Sequence, residues 1–190
     1  MHRRLLAEIH ELTAAIGLSP TQVLQDWAGD SPGITANLKR IIEQLVRAEV
    51  IYQYVYIDEL LSMTLMKHTF RGRKEPSRGS IPRRTHANLL SEVYPMQKLR
   101  VIRGFKKVPK KIINIIGAIN DLRNTAAHQF DLALPRRSKF EYKGTNLFTA
   151  DGIQALQADV MEVEKFFAPW INAIAVEFGL RPPRDSDSPN

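Results

Sequence analysis

Six consecutive residues, Arg123-Asn124-Thr125-Ala126-Ala127-His128, place a guanidinium, an amide and an imidazole at the end of a long apolar-periodic segment. Each such group costs roughly a few kcal/mol when buried without a partner, so their position needs a reason. Two reasons follow from the residue types. Together these groups can bind a phosphodiester and move its protons. They can also satisfy the last carbonyls of a helix, where the macrodipole favours cations.

The element that must hold them is a helix over 109–128. At about 100° per residue, Ile112, Ile115, Ile116, Ile119, Leu122 and Ala126 share one broad side of it. Gly117, Asn120, Asp121, Asn124 and His128 fall within an arc of about 100° on another side. Arg123 lies at the flank of the apolar side, with a stem long enough to reach past its neighbours. Asn124 and His128 are four residues apart, so the amide can orient the imidazole.

An Arg, a polar residue and then a His at the end of a bundle helix resembles the Rx4–6H motif of HEPN domains. Upstream, Met96-Gln97-Lys98-Leu99-Arg100-Val101-Ile102 looks like that family's short helix before the motif helix. The likeness covers residues 34 to 178, most strongly 96–130. It implies an all-α fold, an up-and-down helical bundle with short extra helices, HEPN-like, dimerising so that two motifs face one cleft. It also implies a metal-independent endoribonuclease, a toxin or a defence or stress effector, that uses no cofactor. In that reading Arg123 and His128 are catalytic, and Asn124 holds the imidazole or contacts phosphate. The alternative within the family is a non-catalytic module that binds RNA or protein. Toxins of this family paired with a nucleotidyltransferase extend the motif to Rx4HxY. Here Phe130 stands at the last position, with no hydroxyl to adenylylate, so control by such an antitoxin is not expected through that residue.

The charge map points to the same class of partner. The net charge is +7, but residues 67 to 111 carry fourteen Lys or Arg against Glu75 and Glu92, a local balance of +12, and the remainder is −5. A polyanion such as RNA fits that asymmetry, as does a solvated basic loop. Lys98, Arg100, Arg103, Lys106, Lys107, Lys110 and Lys111 approach the motif helix in sequence. Arg71, Arg73, Lys74, Arg78, Arg83 and Arg84 belong to a basic loop over 71–84, punctuated by Gly72, Pro76, Gly79 and Pro82. All these side chains are expected to hold an RNA backbone, Arg83 and Arg84 included. Phe70, Tyr94 and Phe105 lie among the charges and read as core.

Around these segments the chain reads as helical. Residues 1–29 form a helical pair, with Gly17 as a stop and Ser19-Pro20 opening the second helix. A bundle over 30–179 follows. Its long segment from Ile34 to about Phe70 contains a β-favouring centre, Val50 to Ile57, yet no turn residue, which predicts one helix buried on several faces. Met63, Leu65 and Met66 read as core filler. Short helices are expected at about 83–93 and 96–104, and an irregular connection over 129–149. A last helix is capped by Thr149 or Asp151 and ends near Phe178. Residues 180–190 read as disordered.

The absence of cysteine excludes disulfides, thiolate catalysis and Cys-ligated zinc. No run approaches the roughly 18 apolar residues of a membrane span, so a cytoplasmic protein is expected. There is no GxxxxGK[ST], GxSxG or HExxH. His2, His10, His68 and His86 lack metal-ligand spacing and read as surface or packing residues. The helix pair at 3–28 leaves a DNA-binding regulator as the most distant alternative.

Overall fold

Apolar residues recur at helical spacing along most of the chain, and helices are what form. The computed structural model describes residues 2–27, 34–70, 81–128 and 140–177. They contain seven helices, α1 (His2–Ile16), α2 (Pro20–Trp27), α3 (Ile34–Thr69), α4 (Ile81–Ser91), α5 (Pro95–Arg103), α6 (Lys110–His128) and α7 (Ala150–Glu177), and one hairpin, β1 (Glu141–Tyr142) and β2 (Thr145–Asn146). The fold class is all-α, as the periodicity predicts. No described helix is long and apolar enough to cross a membrane.

α3 is one unbroken helix of 36 residues despite its β-favouring centre. Leu38, Ile41, Ile42, Leu45, Val46, Val50, Ile57, Leu60, Leu61 and Leu65 form a buried stripe along it. The expectation of burial on several faces is corrected here. Within the β-favouring stretch Val50 to Ile57, Val50, Gln53 and Ile57 are buried, but Ile51, Tyr52 and Val55 are exposed. Their β-propensity is overridden because the stripe on the opposite side anchors the helix.

The chain divides into two units. The first comprises Met1–Val55 and Ala118–Val160. In it the α1 residues Leu5, Ile9 and Leu12 are fully or nearly fully buried, as are Ile119, Leu122 and Ala126 of α6. Its polar core centres on Glu49, 4 % exposed, whose Oε1 accepts from Gln53 Nε2 and from Gln157 Nε2, each at 2.8 Å. Gln157 also donates to the Ala15 carbonyl at 3.2 Å, which ties α7 to the end of α1. The hairpin pairs Glu141 with Asn146 and Tyr142 with Thr145. Its two loop residues, Lys143 and Gly144, both take positive φ (51° and 80°), the conformation that matches the twist of a two-residue hairpin. Tyr142 is buried and donates to Asp159 Oδ2 at 2.5 Å, and Lys143 pairs with the same oxygen at 2.5 Å. Burial, and then Asp159, push the Tyr142 phenol well above its ordinary range. Thr149 rather than Asp151 caps α7, its hydroxyl accepting the Gly152 N–H at 3.2 Å.

The second unit comprises Tyr56–Gly117 and Met161–Asn190. α5 opens on Pro95 at its first position, with the Tyr94 N–H donating to the Gln97 side chain at 3.2 Å. His68 stacks flat on Phe105, ring centres 3.6 Å apart, and Phe105 lies 5.5 Å from Trp170. α4 begins at Ile81, two residues before the sequence boundary and inside the expected 71–84 loop. Residues 71–80 of that loop, and the tail over 180–190, lie outside the described residues. The connection over 129–149 holds the hairpin and is otherwise described only from residue 140.

Candidate active site and basic surface

The end of α6 separates its two faces as the spacing predicts. Ile119, Leu122 and Ala126 are buried, Asn120 and Arg123 are half-buried, and Asp121 and Asn124 are exposed. Arg123 Nη1 donates to Asn124 Oδ1 at 3.3 Å, and the guanidinium carbon lies 5.3 Å from the centre of the Tyr54 ring. That distance is within the range of a cation–π contact, which holds the planar fork without using up its donors. Of the three motif groups, Arg123 and Asn124 are therefore brought together. His128 is the last residue of α6, and its side chain lies outside the described residues.

The carbonyls at this helix end have another partner. Arg47 of α3 donates through Nη1 to the Ala126 carbonyl oxygen, while its Nη2 pairs with Glu43 at 2.7 Å. A helix terminus leaves its last four carbonyls without intrahelical donors, and here a guanidinium from another helix takes one of them. Sequence reasoning missed Arg47. The Glu43–Arg47 spacing marks an i,i+4 pair on a helix surface, and nothing in it points to α6.

The basic residues from Arg83 to Lys111 all lie in the second unit, and the fold treats them differently. Arg100, Arg103, Lys107 and Lys110 are exposed, as a phosphate-binding role requires. Lys106 and Lys111 are engaged at the surface. The Lys106 ammonium sits 4.2 Å from the Trp170 ring centre and 5.0 Å from that of Phe166. Burial draws its pKa below the ordinary value. Lys111 pairs with Glu162 at 2.7 Å. Arg83 and Arg84 belong to α4, with side chains outside the described residues.

Lys98 is a correction. Its side chain is 1 % exposed, and its ammonium pairs with Asp58 Oδ1 at 2.6 Å. A cation that deep cannot meet an RNA backbone. Pro95, Lys98, Leu99 and Ile102 are the buried residues of α5, and their helical spacing places Lys98 on the apolar stripe. The core reading of Tyr94 is corrected as well, since 68 % of it is exposed. Phe70 and Phe105 are half-buried.

No family model matches this chain, and neither does any curated protein or solved structure to which it was compared.

Proposed function

We propose that the protein is a HEPN-type, metal-independent endoribonuclease that acts as a homodimer in the cytoplasm. The observation that carries this reading is the role of Arg47. Because Arg47 takes the Ala126 carbonyl, Arg123 is not needed as the α6 cap and rests instead beside Asn124 and over Tyr54. A half-buried guanidinium held by one weak hydrogen bond and one ring keeps donors for a phosphoryl group.

In the mechanism His128 takes the proton of a ribose 2′-hydroxyl, whose oxygen attacks the adjacent phosphorus. The bond to the 5′-oxygen breaks, and the partner subunit's His128 returns a proton to that leaving oxygen. Arg123 stabilises the charge that grows on the non-bridging oxygens. Products are a 2′,3′-cyclic phosphate and a free 5′-hydroxyl. Arg100, Arg103, Lys107 and Lys110 supply backbone contacts, which position the strand without reading its sequence.

The test incubates wild-type, His128→Ala and Arg123→Ala proteins with mixed RNA in EDTA. Wild type should release 2′,3′-cyclic phosphate ends, and Arg123→Ala should be slower by about 10²–10³. Equal cleavage by all three, or none by wild type across several substrates, would leave only the non-catalytic RNA- or protein-binding module.

A further inference from the structure

Helix α5 is held on one side and open on the other. Pro95, Lys98, Leu99 and Ile102 are its buried residues, and the Lys98–Asp58 ion pair at 2.6 Å fixes the roll of the helix. At about 100° per residue the outward positions then fall into two rows. Tyr94, Gln97 and Val101, three and four residues apart, form one row. Met96, Arg100 and Arg103, four and three apart, form the other. All six are exposed, Tyr94 at 68 % and Val101 at 56 %.

The two rows differ in chemistry. The first offers a flat aromatic face, an amide and an aliphatic surface. Gln97 Oε1 accepts the Tyr94 N–H at 3.2 Å, which leaves the amide donors free for a ligand. The second row is cationic, within a stretch from Val93 to Asn120 that carries seven Lys or Arg and no Asp or Glu. That charge complements a polyanion. The neighbouring row complements something a phosphate chain alone lacks, namely flat rings with polar edges.

Single-stranded nucleic acid carries both along one backbone. A strand lying on α5 sets its phosphates against Arg100 and Arg103 and its bases against Tyr94, Gln97 and Val101. A duplex keeps its base faces stacked inside, so it can reach the arginines but offers nothing to the tyrosine. From Tyr94 to Val101 the helix runs about 10 Å, room for about three nucleotides at about 3.4 Å each.

We propose that the outward face of α5 is a platform for single-stranded nucleic acid, on which Tyr94 stacks against a base while Arg100 and Arg103 hold adjoining phosphates. It rests on the RNA partner of the ribonuclease reading and makes that substrate unpaired RNA, but it does not require cleavage. Stacking accepts any base, because every base has a π-face.

Fluorescence anisotropy of the full chain with a labelled 2′-O-methyl oligouridine tests it. That strand has no free 2′-hydroxyl and cannot be cut. Tyr94→Ala should weaken binding by about tenfold and leave the salt slope unchanged, since stacking releases no counterions. Tyr94→Phe keeps the ring and should bind as wild type does. Changing Arg100 and Arg103 together to Gln should instead flatten the slope by about 1.4, at about 0.7 per phosphate on a single strand. An RNA duplex should lose nothing from Tyr94→Ala. The side chain is exposed and the backbone bond to Gln97 survives, so Tyr94→Ala should melt as wild type does. Absence of binding by wild type, equal affinity in Tyr94→Ala, or an equal loss in Tyr94→Phe would overturn the proposal. Cleavage of unmodified RNA is read separately. Binding through Tyr94 without cleavage keeps the platform and removes the ribonuclease, and cleavage without any effect of Tyr94→Ala on binding does the reverse.

Discussion

Arg123 and Lys98 are both basic residues that the sequence offers to RNA, and the fold treats them in opposite ways. Arg123 ends half-buried beside an exposed amide, its helix terminus already served by Arg47. Lys98 ends at 1 % exposure in an ion pair with Asp58. The difference is a matter of helical angle. Arg123 sits at the edge of the α6 apolar stripe, whereas Lys98 sits within that of α5. A local excess of positive charge therefore names a partner class only after each residue has been assigned to a face.

The sharpest way to break this comparison is to truncate both side chains and measure stability. Lys98→Ala removes a buried cation, strands Asp58 and opens a void. The expected loss is about 3 kcal/mol, near the low end for a broken buried pair because Asp58 is partly exposed. For a chain of this length that lowers the melting midpoint by about 6–12 °C. Replacing both partners, Lys98→Met with Asp58→Leu, should recover most of it, since the desolvation cost disappears with the charges. Arg123→Ala should stay within about 0.5 kcal/mol of wild type. If the two single variants melt together, the two residues are not different in kind.

A smaller effect sharpens the assignment of the α6 cap. Arg47→Met keeps most of the stem but deprives the Ala126 carbonyl of its charged donor. Urea unfolding should show a loss of about 1–2 kcal/mol. Should Arg123→Ala cost more than Arg47→Met, then Arg123 is the structural residue, and the ribonuclease reading loses its main support.

How much was legible depended on whether one stripe dominated an element. α6 was readable because its apolar positions are all aliphatic and its polar arc lies apart. α3 was readable as a helix, but its exposed side was not, because Ile51, Tyr52 and Val55 look like core by type. Lys98 shares its spacing with Pro95, Leu99 and Ile102, the buried residues of α5, so position and not charge decides its burial. The hairpin was missed because Lys143 adopts a φ of 51° that Asn or Gly normally advertises. Arg47 and the Asp58 partner of Lys98 were beyond a local reading, since both contacts join residues far apart in sequence (|i−j| of 79 and 40).

The smallest effect concerns His86, a basic group in the same unit as Lys98 but without a carboxylate to pair with it among the described residues. Its Nε2 lies 3.2 Å from the Thr69 hydroxyl, its ring is tilted against Phe70 at 5.4 Å, and its Nδ1 is buried with no partner. Burial lowers its pKa from the ordinary 6.5. In the window just below 6.5 the unfolded chain therefore binds more protons at this site than the folded one, and stability rises with pH across it. Acidification through that window should lower the urea midpoint, and the loss should level off once the pH falls below the folded-state pKa. Removing the titrating ring in His86→Phe should reduce the difference between midpoints measured at about pH 7 and pH 5.5. An equal difference in wild type and variant would assign the acid sensitivity to other groups. Burial without a counter-charge would then have no measurable consequence at His86, in contrast to Lys98.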